Sequence, residues 1–332
     1  MQDLKEIGFY TLSNERAQHA SATSQMKRCE LIITEHCNFA CEYCRGLRPD
    51  IYSDRITKTM TLDEIKYTIN LWCDEAEGPL ENIRFSGGEP TLHPDIKAIV
   101  AYAKEKGIKR IAISTNGSNR TSLYKELIEL GVNDYSISLD ACCAEDGDRM
   151  AGNRPGVYNR IALNIQELSK LTYVSVGIVL VPETVENTID IIKAAAKLGV
   201  SDIRVIPAAQ WDQPIPQLAQ VPQSLLDRYP ILKFRVQQFL EGKHVRGMLD
   251  TDQRKCAIVL DDSVVAGKYH FPCVIYMREQ GDPIGKVRPL MREEREEWFN
   301  SHDCRKDPIC TKNCLDVCRN YNETYAHFHP EV

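Results

Sequence analysis

The 332-residue sequence lacks any continuous apolar run of the roughly 18 residues that a membrane-spanning helix needs, so we expect no membrane partner. Its N-terminal stretch, MQDLKEIGFYTLSNERAQ, contains acidic and polar residues but no apolar centre, so we expect no secretory signal. An excess of basic residues is also missing. The formal net charge is −6, which argues against a protein that binds nucleic-acid duplexes non-specifically. Together these absences predict a cytoplasmic protein.

Cysteine, in contrast, is abundant, with 13 residues. The cytosol keeps thiols reduced, so a disulfide framework is not expected. Most of these cysteines stand in tight or regular spacings, which is typical of metal ligands. The candidate metal ligands are Cys37, Cys41, Cys44, Cys256, Cys273, Cys304, Cys310, Cys314 and Cys318.

Strand-like and helix-like segments alternate from Cys29 to Pro207. This alternation predicts βαβ units and a parallel sheet, in which ligands collect at the carboxyl ends of the strands. After Pro207 the alternation stops in a segment rich in proline and glutamine. The predicted divisions are an N-terminal extension at 1–28, a βα body at 29–215, a linker with a helix at 216–250, and an irregular cysteine-rich domain at 251–332.

The segment EHCNFACEYCRG, at the end of the first predicted strand, contains three cysteines with the spacing C-x3-C-x2-C. A [4Fe–4S] cluster prefers one thiolate on each iron, so three cysteines leave one iron open to an exogenous ligand. An open metal position is typical of a site for chemistry. The alternative is a partial zinc site completed by a distant cysteine or by His36.

This loop, with Tyr43 before its last cysteine, resembles that of the radical S-adenosylmethionine (radical SAM) enzymes. Further motifs follow in the family's order, each after a predicted strand. They are SGGEP at Ser86–Pro90, which is similar to the GGEP motif, STNG at Ser114–Gly117 and SLD at Ser138–Asp140. Each motif alone is weak, but the set in this order is hard to obtain by chance. The resemblance covers about Cys29 to Pro207 and implies an α/β fold, a partial (βα)6 TIM barrel.

The resemblance implies that S-adenosylmethionine binds the open iron, is cleaved by one electron from the cluster, and yields a 5′-deoxyadenosyl radical that takes a hydrogen atom from the substrate. Glu89 could instead tie its loop to a neighbouring helix, and Arg149 could face solvent. We interpret Cys142 and Cys143 as small buried thiols. The residues implied to contact this cofactor are Tyr43, Gly87, Gly88, Glu89, Pro90, Thr115, Asn116, Ser138, Asp140 and Arg149.

The C-terminal cysteines resemble the auxiliary iron–sulfur domains of the same family, which are called the twitch and SPASM types. Cys256 and Cys273 flank Gly267 in a hairpin-like setting. The later run CRKDPICTKNC, spaced C-x5-C-x3-C, matches part of the SPASM signature. The first cysteine of that signature is missing, because Ser301 stands in its position.

Six C-terminal thiolates cannot fully ligate two [4Fe–4S] clusters, which would need about eight ligands. The expected arrangement is therefore one auxiliary [4Fe–4S] cluster, with Cys256, Cys273 and Cys314 as the principal ligands. A second, incompletely ligated cluster is a less favoured alternative. Another alternative is a structural zinc held by Cys310, Cys314 and Cys318, whose spacing would allow them to share one helical face.

Within the family, the barrel most resembles the radical enzyme of molybdopterin-precursor synthesis, which acts on GTP. Arg84 matches a basic residue that binds nucleotide there, and Arg204 is a second candidate for substrate binding. Glu30, however, stands where that enzyme has an arginine, and the tail HFHPEV differs from its catalytic Gly-Gly. We therefore do not expect GTP cyclisation.

The expected function is hydrogen-atom abstraction from a small polar metabolite, sugar, nucleoside or nucleotide, as an oxidoreductase or isomerase. An electron donor such as flavodoxin or ferredoxin is implied. The alternatives are SPASM-type maturation of a ribosomal peptide and modification of a nucleic-acid base. We expect the 36 residues before Cys37 to be too few for a leader-binding domain, although a separate chain could supply one. An iron–sulfur electron carrier is the non-enzymatic alternative, although a carrier needs neither a GGEP motif nor a barrel.

Overall fold

The computed structural model describes residues 14–45, 59–73, 78–209, 211 and 213–331. The first half of the predicted N-terminal extension, the end of the helix predicted from Thr61 to Ala76, and two residues of the segment rich in proline and glutamine lie outside these ranges. The strands are β1 (Arg28–Thr34), β2 (Asn82–Gly87), β3 (Arg110–Thr115), β4 (Asp134–Ser138), β5 (Tyr173–Leu180), β6 (Asp202–Pro207), β7 (Asp262–Ala266), β8 (Tyr269–Phe271) and β9 (Gly285–Lys286).

Helices occupy most of the segments between these strands. They are α1 (Asn14–His19), α2 (Leu62–Cys73), α3 (Ile96–Glu105), α4 (Thr121–Leu130), α5 (Ala144–Met150), α6 (Val157–Leu168), α7 (Thr188–Lys197), α8 (Gln223–Arg228), α9 (Pro230–Leu240), α10 (Val274–Arg278), α11 (Met291–Ser301), α12 (Pro308–Asn313) and α13 (Asp316–Phe328).

The first of two compact units contains residues 1–36, 48–111 and 246–332. Within it, β1 pairs in parallel with β2 on one side and with β7 on the other, and β8 and β9 continue antiparallel from β7. The hairpin predicted around Gly267 is present, since Gly267 joins β7 to β8 with φ of 57°, a left-handed conformation that favours glycine.

The second compact unit contains residues 37–47 and 112–245. Strands β3, β4, β5 and β6 pair in parallel, in that order. Alternate residues of β5, from Val174 to Leu180, are fully buried, as expected for a parallel sheet covered by helices. The loops that follow these strands carry the polar side chains described below.

The six barrel strands lie in the region in which the sequence predicts alternating strands and helices. Thr61 and Glu64 have the spacing of a capping box, which the structure contains at the start of α2: the Thr61 hydroxyl accepts from the Glu64 backbone at 3.2 Å, and Glu64 accepts from the Thr61 backbone at 2.9 Å. The helix predicted in the 216–250 linker is present as α8 and α9, which are separated before Pro230, whose ring cannot continue the helix of α8. The C-terminal region is cysteine-rich as predicted, but it also contains helices α11 and α13, which were not predicted.

Candidate active site

The three-cysteine loop directly follows β1 in the chain. The Cys44 N–H donates to the Cys41 carbonyl at 2.9 Å, so the last two cysteines lie in one tight turn. The Phe39 N–H donates to the Cys37 sulfur at 3.4 Å. Hydrogen bonds of this kind to sulfur stabilise a thiolate and tune an iron–sulfur cluster.

The thiol of Cys41 is influenced by its neighbours. Burial, together with negative charge on Asp140, Cys44 and Cys37, raises the pKa of Cys41 to about 12. Thiols held together in this way cannot all ionise unless a cation joins them, and metal binding reverses the effect by stabilising the thiolates. The donor set therefore fits an iron–sulfur cluster.

A network of asparagines connects the STNG motif to the cysteine loop. Asn116 donates to the Asn38 side chain at 2.9 Å, and Asn38 donates to the Ser118 hydroxyl at 2.9 Å. Fully buried Asn164, on α6, donates to the carbonyls of Gly117 and Asn119, both at 2.8 Å. Asn38 and Asn164 were not predicted, because their partners are 80 and 47 residues away in the sequence.

Tyr43 and Asp140 form the second connection to the cysteine loop. The Tyr43 hydroxyl donates to Asp140, which also accepts the Val179 N–H at 2.6 Å. Burial raises the pKa of Asp140 to about 6, although both hydrogen bonds oppose the shift. Tyr43 is therefore held by a carboxylate at the end of β4, rather than packed only as an aromatic wall.

The two glycines of the GGEP motif lie against the strand end that precedes the cysteines. The Gly88 N–H donates to the Thr34 carbonyl and the Glu89 N–H donates to the His36 carbonyl, both at 2.7 Å. A Cβ on Gly87 would lie 1.9 Å from the Thr34 oxygen, and one on Gly88 would lie 2.4 Å from the His36 oxygen. Close approach of protein backbone is thus sufficient to require glycine here, in addition to the predicted approach of a ligand.

Glu89 stabilises its own loop. Its carboxylate accepts from the Thr91 backbone at 3.1 Å and from the Thr91 hydroxyl at 2.6 Å, and Pro90 begins a short 3₁₀ helix at that point. These contacts correspond to the alternative in which Glu89 has a structural role, and Thr91 lies in the same loop as Glu89. A direct contact of Glu89 or Pro90 with a cofactor remains a prediction.

The remaining predicted contact residues differ in exposure. Thr115 is buried, and its hydroxyl lies 3.1 Å from that of Tyr124, whereas Ser138 is exposed at the end of β4. Arg149 pairs with Asp146 at 3.1 Å and is partly exposed. The predicted burial of the two thiols after the SLD motif is wrong for Cys143, which is exposed, because it caps the N-terminus of α5 at the surface.

The six C-terminal cysteines line one cavity of the first unit. Ile258, Ile275 and Ile309 contribute apolar walls. A hydrogen bond with the Cys304 thiol, together with burial, raises the pKa of Cys256 well above its usual value. This cavity is lined by the predicted auxiliary ligands Cys256, Cys273, Cys304, Cys310, Cys314 and Cys318.

The helical face proposed for a zinc site is not formed. Helix α12 contains Cys310 but ends at Asn313, Cys314 has extended backbone, and Cys318 belongs to α13. A different group lies close together: ligand atoms of His302, Cys304 and Cys310 are all within 4.8 Å of one another. His302 was not predicted, although its position beside the missing signature cysteine was a usable signal.

Both candidate substrate-binding arginines lie on strands. Arg84 is buried and pairs in register with Glu30 on β1, whose pKa is held below its usual value by Arg28 and Arg84 although burial raises it. Arg204, on β6, donates to the Ser136 hydroxyl at 2.8 Å. Arg84 is thus a buried charged residue of the first unit, and Arg204 is a partly buried one of the second.

Curated proteins similar in sequence include GTP 3′,8-cyclase of Synechococcus elongatus, 34% identical over 130 residues, which are 39% of this chain and 38% of the relative. Molybdenum cofactor biosynthesis protein 1 of Bos taurus is 35% identical over 112 residues, which are 32% of this chain and 17% of the relative. The chain therefore spans less than two fifths of the length of these relatives.

Solved structures share the fold. SuiB of Streptococcus suis, bound to S-adenosylmethionine, has a TM-score of 0.56 at 12% identity and covers 89% of this chain and 75% of its own. Native anSMEcpe, with bound AdoMet and Cp18Cys peptide, has a TM-score of 0.58 at 16% identity and covers 92% of this chain and 97% of its own. They confirm the predicted α/β fold class, a partial TIM barrel with an unclosed sheet. Among the described residues, no helix is long and apolar enough to cross a membrane.

A family model, the Radical SAM superfamily, matches residues 31–201, just over half of the chain. This range contains the three-cysteine loop and the GGEP, STNG and SLD motifs, so the match and the predicted resemblance rest on the same residues. The C-terminal cavity supplies thiol ligands for the predicted auxiliary cluster. The chain therefore belongs to the radical SAM superfamily and is an enzyme that binds a [4Fe–4S] cluster and S-adenosylmethionine.

Proposed function

We propose that this enzyme abstracts a hydrogen atom from a small polar metabolite, sugar, nucleoside or nucleotide, and that the net reaction is an oxidation or an isomerisation. Cluster-bound S-adenosylmethionine supplies the 5′-deoxyadenosyl radical that accepts the hydrogen atom. An auxiliary [4Fe–4S] cluster in the six-cysteine cavity assists. The reaction takes place in the cytoplasm, where flavodoxin or ferredoxin supplies the electron.

The chain's own residues bind and orient the reactants. Cys37, Cys41 and Cys44 hold the cluster, and Asn116 and Asp140 fix the loop that carries them. The GGEP turn supports the strand end that enters this loop. Exact positioning of this kind favours transfer to one carbon atom over side reactions of a radical.

The proposed substrate class rests on the charged and polar side chains that the strands carry. Glu30 on β1 and Arg84 on β2, and Arg204 on β6 with Ser136 on β4, are polar groups that recognise hydroxyl, amino or phosphate groups. The sequence relatives whose names specify a nucleotide substrate, GTP, support the nucleoside or nucleotide part of this class. Glu30 disfavours the triphosphate itself, because its carboxylate lies beside Arg84.

Transfer of deuterium tests the substrate class. The reduced enzyme is incubated with S-adenosylmethionine and with perdeuterated nucleosides, nucleotides or sugars, and 5′-deoxyadenosine is analysed by mass spectrometry. We expect deuterium to enter it from one member of these sets, and not from peptides or from labelled RNA or DNA. Transfer only from a peptide or from a nucleic acid would contradict the proposal and favour one of the alternatives.

Arg84→Gln tests the predicted contact with that substrate. The variant keeps a polar side chain but lacks the charge, so we expect deuterium transfer to fall at least about tenfold at low substrate concentration, as for the loss of a charged hydrogen bond. Lys104→Gln, at the surface-facing end of α3, is the matched control for charge. Equal effects of the two substitutions would remove Arg84 from the proposed site.

A further inference from the structure

A nitrogen ligand lies beside two of the thiols that line the C-terminal cavity. One ring nitrogen of His302 and the sulfurs of Cys304 and Cys310 lie within 4.8 Å of one another. Helix α11 ends at Ser301, so His302 is the first residue of the turn that leads to Cys304. The turn thereby presents two donor side chains with one residue between them.

The imidazole of His302 is held in a fixed orientation. It stacks on Trp298 with 4.1 Å between ring centres, and the ring of Tyr276 meets it edge-on at 6.2 Å. Its Nε2 lies 3.4 Å from a carboxylate oxygen of Asp307, which also caps the helix carrying Cys310. A carboxylate close to one ring nitrogen is the arrangement that orients histidine ligands in metal sites.

The residue that replaces the signature cysteine does not face the cavity's ligands. The Ser301 hydroxyl donates to the Glu297 carbonyl at 2.7 Å, within its own helix, and Ser301 is exposed. The sequence therefore has no metal-ligating side chain at position 301, and it has one, the imidazole of His302, at the next position. Histidine is an established ligand for iron–sulfur clusters, as in Rieske centres.

We propose that His302 is a ligand of the auxiliary iron–sulfur cluster, together with Cys304 and Cys310. The remaining ligand comes from the thiols that share the cavity, and Cys256 is a candidate because its thiol is hydrogen-bonded to Cys304. The inference rests on the auxiliary cluster of the proposed function.

Isotope labelling of histidine makes this ligand visible. The triple variant C37A/C41A/C44A lacks the ligands of the first cluster, so any remaining paramagnetic cluster belongs to the C-terminal cavity. This protein is prepared with ¹⁴N-histidine or with ¹⁵N-histidine, reduced, and measured by pulsed electron paramagnetic resonance. We expect a nitrogen hyperfine coupling that changes with the label. A cluster without such a coupling overturns the proposal.

Two variants in the same background assign the nitrogen. His302→Cys retains four ligands, so the iron content should stay the same while the nitrogen coupling disappears. His327→Ala, at an exposed position of α13, should retain both the iron and the coupling. A coupling that survives in His302→Cys, or that is lost in His327→Ala, overturns the assignment to His302.

Metal analysis separates this inference from the function on which it rests. Iron in the triple variant without a histidine coupling overturns the ligand assignment alone. Zinc, or no metal, in the triple variant overturns both the ligand assignment and the auxiliary cluster. Cleavage of S-adenosylmethionine by the unmodified chain depends on the first cluster and is measured separately.

Discussion

At the scale of single residues, hydrogen bonds to buried carboxylates position the second unit's loops. Asp140 accepts from Tyr43 and Val179, and so connects the cysteine loop to β5. Asp202 is fully buried and accepts the Ile203 and Ile231 N–H groups, at 2.7 and 3.1 Å. Burial raises the pKa of each carboxyl to about 6, so charge on both opposes folding near neutral pH.

Tyr43→Phe tests the connection between the cysteine loop and β4. The variant loses one charge-assisted hydrogen bond to a buried carboxylate, so we expect a loss of about 1.5–3 kcal/mol in the free energy of unfolding. Denaturant titration under anaerobic conditions, with the iron content checked before and after, measures it. The control is Tyr67→Phe, since Tyr67 is 48% exposed. A loss no larger than that of the control would contradict this role.

Asp202→Asn tests the pH dependence of stability. The folded-state pKa of Asp202 is raised from 3.8 to about 6 by burial, so its contribution is fully present below pH 3.8 and is lost as the pH rises through about 6. The neutral amide avoids this loss. We expect the stability of the variant relative to the wild type to improve by about 1.4 kcal/mol between pH 5 and 7.5.

The measurement for this prediction is a series of denaturant titrations across that pH range. Asp202→Asn also removes one hydrogen-bond acceptor, which changes the free energy of unfolding by the same amount at every pH. Only the change in relative stability with pH therefore tests the prediction. Asp190→Asn, at an exposed position of α7, controls for the change in net charge. A relative stability that does not change with pH would contradict the prediction.

At the scale of elements, the GGEP turn and the end of β1 form one packed unit of backbone. Two backbone hydrogen bonds of 2.7 Å connect them, and Gly87 and Gly88 leave no space for a Cβ. Because Cys37 directly follows His36 in the chain, we expect this packing to help position the first predicted cluster ligand, in addition to the turn's predicted role in binding the cofactor.

Gly88→Ala tests this packing. The new Cβ would lie 2.4 Å from the His36 oxygen, so we expect a loss on the order of 3 kcal/mol in stability and weaker loading of the first cluster. Gly242→Ala is the control: it has a positive φ of 71° but nothing within 4 Å, so strain alone should cost about 1 kcal/mol. Iron content and denaturant titration measure both. Equal losses in the two variants would contradict the explanation.

The sequence was sufficient to predict the barrel strands, because runs of β-branched and apolar residues mark strands that are buried on both faces. Helix α11 could not be predicted in the same way. Its buried face consists of Met291, Arg295 and Phe299, and the fully buried Arg295 interrupts the apolar periodicity while donating to the Val259 carbonyl at 2.8 Å. That the Val259 carbonyl is bonded to an arginine of this helix is visible only in the folded chain.

The candidate site shows the same division. Motif order along the chain predicts Cys37 and Asn116 as site residues, because the family places them after successive strands. His302, Asn38 and Asn164 belong to no motif, and their contacts depend on residues distant in sequence or on a turn that brings a side chain beside two cysteines. Local patterns do not contain that information.

At the scale of the whole molecule, we expect two separate iron sites, one at the three-cysteine loop and one at the six C-terminal cysteines. Anaerobically reconstituted enzyme should contain about eight iron atoms per chain, and the C37A/C41A/C44A variant about four. Iron and sulfide analysis, with zinc measured in the same samples, checks this expectation. Four irons with one zinc in the unmodified chain would contradict the auxiliary cluster but not the first one.

The central claim is that the three-cysteine loop enables the chain to cleave S-adenosylmethionine. The most direct measurement is the release of 5′-deoxyadenosine and methionine from S-adenosylmethionine by the reduced, reconstituted enzyme. We expect release by the unmodified chain and by the control Cys142→Ala, and release at least about a thousandfold lower for Cys41→Ala, because an incomplete ligand set does not hold the cluster. An iron-loaded, reduced enzyme that releases no 5′-deoxyadenosine, or a Cys41→Ala variant that releases as much as the unmodified chain, would contradict the claim.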